Sequence, residues 1–129
     1  ITTFNRDENT KSGKIKNIRF RNITCKGENG VLIHGTEENM IEDVTFENVS
    51  VTMTKTSKWD CGLYDLRPCL QYGVEKYKNS GFFIRNAKNV LIEKSSIQWG
   101  NLCDDYNKAI DAENAPNLEL IRFNGTDAR

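Results

Sequence analysis

The sequence lacks an excess of charge of either sign: 18 Lys and Arg face 18 Asp and Glu in 129 residues. Without a basic field there is no electrostatic footprint for nucleic acid, and without a cationic face none for a membrane surface. No apolar run approaches the ~20 residues that a spanning helix needs. No segment carries a helical period, and no Gly-rich phosphate loop or EF-hand loop is written anywhere. The chain opens Ile1-Thr2-Thr3-Phe4 with neither an initiator Met nor a secretory leader, and is read as a piece of a longer protein forming one domain over residues 1–129. The mean hydropathy of −0.63 is polar, but β-branched and aromatic residues recur throughout, which excludes disorder.

Cysteine is sparse as well. Cys25, Cys61, Cys69 and Cys103 fit no zinc-knuckle spacing and no C-x-x-C redox motif. They are read as mostly buried, reduced thiols, with a Cys61–Cys69 bridge closing a loop as the alternative. No metal and no cofactor is expected.

What is present is a repeat. Lys16 begins KNIRFRNI, and Glu42 begins EDVTFENV. In both, apolar residues alternate with polar ones, as on a half-buried strand. Ile18, Val44, Val90 and Leu118 are equivalent positions, as are Phe20, Phe46, Ile92 and Leu120. A short strand follows each motif and another precedes it, in GVLIHG, GFFIRN and KAIDAE. A unit of this length cannot bury its apolar side alone, and stacking copies in register solves that. The expected fold is therefore all-β: a right-handed parallel β-helix of about four coils. Asn22, Asn48, Lys94 and Arg122 fall at equivalent turns, and the first two are residues that tolerate left-handed backbone and can bond in a ladder. An open first coil would leave an apolar end, a route for copies of the chain to self-associate.

The repeat is interrupted by residues 54–79, a long loop that carries Trp59, Tyr64, Tyr72 and Tyr77. Loops of this length are usually functional or disordered. Aromatic rings beside Asp and Arg suit a sugar: the apolar face of a pyranose stacks on a ring, and Arg grips a uronate carboxylate. Trp59, Tyr64, Asp65 and Arg67 are the candidate substrate-binding residues. Packing of the same rings onto the flank of the repeat is the competing reading. Asp104 and Asp105 are adjacent, so on a strand they would point to opposite faces, and they are read as a solvated loop. His34 is read as a hydrogen-bonded wall residue.

The stretches GKIKNIRFRNITCKGENGVLIHG, IEDVTFENVSVTMTKTSKW, YDLRPC and KAIDAENAPNLELIRFNGTDA resemble the C-terminal coils of bacterial glycoside hydrolase family 28 proteins, which include polygalacturonases and rhamnogalacturonan hydrolases. The resemblance covers nearly the whole chain, and its TKW and YDLRPC insertion is the most distinctive part. It implies a pectin-lyase-like solenoid, a polysaccharide or oligosaccharide partner of pectic type, an inverting hydrolytic parent and export from a bacterial cell. The family's catalytic groups come from motifs that include an Asp-Asp pair, a G-H-G and an R-x-K. No R-x-K occurs, Ile33-His34-Gly35 lacks the leading Gly, and Asp104-Asp105 lacks the coil context. No catalytic residue is carried over. The resemblance places the catalytic coils upstream, and this chain alone is expected to be inactive. A non-catalytic carbohydrate-binding or adhesion module is the alternative.

Overall fold

A computed structural model describes all residues, 1–129. It holds ten strands and no helix: β1 (Lys16–Gly27), β2 (Val31–His34), β3 (Ile41–Met53), β4 (Leu63–Asp65), β5 (Val74–Lys76), β6 (Phe82–Arg85), β7 (Ala87–Glu93), β8 (Ser96–Trp99), β9 (Ile110–Glu113) and β10 (Glu119–Ile121).

The chain is all-β, but the architecture corrects the expected one. It is not a clear right-handed parallel β-helix of four coils. The strands fall into three small sheets of five, three and two members. The pairing is mixed, because β4 and β5 run antiparallel. Three local causes account for this. The 54–79 insertion pairs with itself. The five-stranded sheet branches at β3, whose first half meets β7 and whose second half meets β8. Beyond β7 the ladder narrows to the three residues of β10.

Within these sheets the repeated segments do pair in the register their period requires. Ile18 lies opposite Val44, and Val44 opposite Val90. Phe20, Phe46, Ile92 and Leu120 form a second row. The Phe20 and Phe46 rings stack at 4.9 Å with an interplanar angle of 10°, and Phe82 meets Phe46 edge-on at 5.2 Å. Burying such a ring contributes about 1.5–3 kcal/mol. Ile41, Val44, Phe46, Val49, Val51 and Met53 of β3 are all buried, together with Phe82, Ile84 and Tyr106. Leu120 departs from the expected inward row: it is 47% exposed, because no strand covers β10.

β1 and β3 are long because they bend rather than end. Asn22 and Asn48 have φ of 56° and 54°, and Lys94 and Arg122 adopt the same left-handed region at their own turns. Asn48 Nδ2 donates to Asn22 Oδ1 at 3.0 Å. This ladder stops where Lys94 and Arg122 take over. A second ladder, unforeseen from sequence, runs through the other corner: Asn117 Nδ2 donates to Asn89 Oδ1, and Asn89 Nδ2 to Asp43 Oδ1, each at 3.0 Å. All three of those residues are also left-handed, where Asn and Asp cost least among residues with a Cβ.

Candidate carbohydrate site

The insertion leaves the β3 edge at Thr54, and Glu28 fixes its first turn. The Glu28 carboxylate accepts from Lys55 Nζ at 2.9 Å, Thr56 N at 2.9 Å, Thr56 Oγ1 at 2.8 Å and Ser57 Oγ at 3.0 Å, and also from Ser57 N. Lys55 foremost, then the donors at Ser57 and Thr56, hold its pKa well below the usual carboxylate range. Charge-assisted bonds of this kind favour the ionised form and fix geometry.

The next segment is tied at Cys61, which is bridged to Cys103. This overturns both cysteine readings made from spacing. Cys69 is free and bonds locally, its Sγ donating to Tyr72 O at 3.1 Å, and Cys25 is free and exposed. The pairing joins positions 42 residues apart, which no local spacing rule could indicate.

Asn79 sets the floor beneath the bridge. It is fully buried; its Oδ1 accepts from Gly62 N at 2.6 Å, its N donates to Asp105 O at 2.8 Å, and its Nδ2 donates to Asn29 Oδ1 at 2.9 Å. One side chain and its backbone thus align three separate segments. Gly62 is required at this crossing: its φ is 80°, and a Cβ would come within 2.7 Å of the Asp105 carboxylate.

Between the insertion and residues 103–105 lies an open cleft of about 820 Å³. Trp59 stands in its wall and is 71% exposed, with Lys58 Nζ 5.2 Å from its ring centroid. Lys76, Lys78, Asp60, Asp104 and Asp105 complete the polar lining. Lys55 is neutralised by Glu28, and Asp104 faces Arg129 at 3.3 Å. Lys58, Lys76 and Lys78 have no carboxylate partner in the chain. The cleft therefore offers one aromatic platform, three uncommitted ammonium groups, and carboxylates that can accept from hydroxyls.

Of the four candidate residues, the structure brings only Trp59 to this cleft. Tyr64 is 5% exposed, packs on Phe83 at 4.7 Å, and its hydroxyl accepts from Ser80 N at 3.2 Å. Burial raises its pKa. Asp65 and Arg67 lie on the exposed outside of the hairpin and satisfy each other through two bonds, Nε–Oδ1 at 2.9 Å and Nη2–Oδ2 at 2.8 Å. That pairing, together with the Arg67 backbone N–H, lowers the Asp65 pKa to about 2. Asp104 and Asp105, read from sequence as a solvated loop, line the cleft, and so do Lys76 and Lys78, whose only sequence signal was a mixed-charge content that solvated loops share.

The motifs of the family that the sequence resembles also include an N-x-D, which Asn5-Arg6-Asp7 fits, yet this segment forms an exposed turn in which Asp7 Oδ1 accepts from Asn9 N at 2.9 Å and Thr10 Oγ1 at 3.1 Å. Its carboxylate is committed to the turn. No family model, curated protein or solved structure matches the chain.

Proposed function

We propose that this chain is part of an exported glycoside hydrolase acting on pectic, galacturonan-type polysaccharide, and that its own task is to hold the acidic sugar chain in the Trp59 cleft. The single observation that carries the binding role is a Trp ring exposed at 71% beside three lysines without carboxylate partners. A Trp in water gains by stacking on the C–H face of a pyranose, and an ammonium group gains by meeting a uronate carboxylate. Asp60 and Asp105 supply acceptors for the hydroxyls of the same ring. The hydrolytic setting rests on the resemblance of the TKW and YDLRPC segments. The Cys61–Cys103 bridge is compatible with an oxidising, exported location.

Titration calorimetry with a galacturonic acid tetramer tests this. Saturable binding is expected, weakened several-fold and up to about tenfold in Trp59→Ala, since one stacked aromatic contributes on the order of 0.5–1.5 kcal/mol. A carboxyl-reduced tetramer should bind this cleft more weakly. Binding of the acidic tetramer that is indifferent to Trp59, or a Trp59-dependent component equally strong for the reduced form, contradicts the proposal. No hydrolysis of polygalacturonate by this chain alone is expected; clear turnover would place catalytic groups within it.

A further inference from the structure

Tyr77 lines the Trp59 cleft and also a second, polar cavity of about 430 Å³. That volume lies within the ~300–1,000 Å³ range of small-ligand sites. His34, at the end of β2, forms part of its wall and is only 4% exposed. Its Nδ1 lies 2.8 Å from Gly35 O. A carbonyl can only accept, so Nδ1 carries the proton and Nε2 keeps its lone pair. No group of the chain bonds Nε2, and that atom is not sealed from solvent. Phe4 meets the ring edge-on at 4.9 Å and Tyr72 packs on it at 5.0 Å. Nε2 is thus an acceptor on a nearly buried ring that no group of the chain satisfies, open to a hydroxyl that enters the cavity.

The rest of the wall says what that something is. Arg85, the residue paired with His34 between β2 and β6, is the cavity's one cation, and it is already committed. It lies 3.9 Å over the Phe83 ring, bonds Asp111 Oδ1 at 3.0 Å, and faces Glu113 Oε2 at 3.5 Å. The remaining lining groups include the carboxylates of Glu37 and Glu113 and the half-buried rings of Tyr72 and Tyr77. Carboxylate and imidazole acceptors, aromatic surface and no free cation disfavour an anion. They suit a neutral molecule with several hydroxyl donors and an apolar face.

We propose that the His34 cavity binds a neutral sugar residue, with a sugar hydroxyl donating to His34 Nε2 and the C–H face of the ring against Tyr72. The site differs in charge from the Trp59 cleft and adjoins it at Tyr77, so a polysaccharide bearing both uronate and neutral residues can occupy the two together. Only that last clause rests on the Trp59 reading; binding of a neutral sugar at His34 stands alone.

His34 is the only histidine, so its ring nitrogens give an unambiguous NMR signal. The probe is a neutral galactose tetrasaccharide, titrated into the ¹⁵N-labelled chain. A saturable shift of the His34 Nε2 resonance is expected. The same titration of Tyr72→Ala should give binding weaker by a few-fold up to about tenfold, the size of one lost stacking contact. A Nε2 resonance that the neutral tetrasaccharide does not move, or moves with equal affinity in Tyr72→Ala, overturns the proposal. Trp59→Ala separates the two sites: it should weaken binding of the acidic tetramer and leave the His34 shift in place. Failure of the acidic tetramer to bind the unmodified chain would sink the Trp59 reading without touching this one.

Discussion

Cys61 and Cys103 are joined across 42 residues of chain, and the bond forms the wall of the Trp59 cleft. It carries Asp104 and Asp105 to the side of the insertion, where Asn79 bridges the Asp105 backbone to Gly62. Stability and site geometry therefore depend on the same crosslink.

Replacing both bridged residues, Cys61→Ser with Cys103→Ser, should lower the free energy of unfolding by about 2–4 kcal/mol, because a long closed loop is released in the denatured chain. Urea denaturation measures this. Thiol titration supplies the control: two free thiols, Cys25 and Cys69, before reduction and four after it. In the folded chain Cys25 should react first, since it is exposed on β1.

The stacked pair Phe20 and Phe46 should respond unequally to truncation. Phe46 is 3% exposed between Phe20 and Phe82, so Phe46→Ala should cost about 3–5 kcal/mol. Phe20 is only half-buried at the open side of the sheet, and Phe20→Ala should cost clearly less. Equal costs, read from denaturation midpoints, would contradict the packing described.

His34 gives the chain an acid sensitivity with a defined sign. Burial is the main cause that lowers its folded-state pKa; the bond to Gly35 opposes this, and Arg85 adds a smaller lowering effect. In the unfolded chain the imidazole binds a proton near its ordinary value of about 6.5. The neutral ring therefore contributes stability that is full above that pH. It is lost as pH falls from there through the lowered folded value, because the unfolded state takes up the proton first. Stability measured between pH 7.5 and 5, a range of about two and a half units around the ordinary value, should decline on acidification, and His34→Gln should flatten the decline.

Asp65 should titrate at about pH 2 in the folded chain, followed through its side-chain carboxyl resonance. Here too the folded value is depressed, so the contribution of the Arg67 pair is present above the ordinary carboxylate value and disappears as pH falls toward 2. Arg67→Gln should move the Asp65 titration up toward its ordinary range, while the backbone N–H of residue 67 keeps part of the lowering. An unchanged titration would show that the two side chains do not meet in solution.

The pairing register was legible in the sequence because a repeat dictates its own neighbours. Phe20, Phe46 and Ile92 could be matched by period alone, and the left-handed turns at Asn22 and Asn48 followed from residue type. The sheet layout was not legible. The pairing of Ile97 and Trp99 with Val51 and Met53 does follow from the repeat, but nothing local shows that Leu63–Asp65 pairs back on Val74–Lys76. Leu120 reads like Phe46, and only the absence of a strand beyond β10 exposes it. In the site, Trp59 could be picked out as an aromatic residue in a long polar loop. Tyr64 looked the same, yet its hairpin turns it inward onto Phe83. Asp105 could not be placed beside residue 62 without the Cys61–Cys103 bond, a contact between distant parts of the chain that spacing does not encode.

The most direct test of the carbohydrate reading is a map of amide and indole NMR shifts on adding the galacturonic acid tetramer. The account predicts saturable changes at the Trp59 indole, at residues 76–78 and at Asp104 and Asp105, with the far face of the five-stranded sheet around Thr45 and Leu91 unmoved. Changes centred on that sheet face, or none at all, would contradict it.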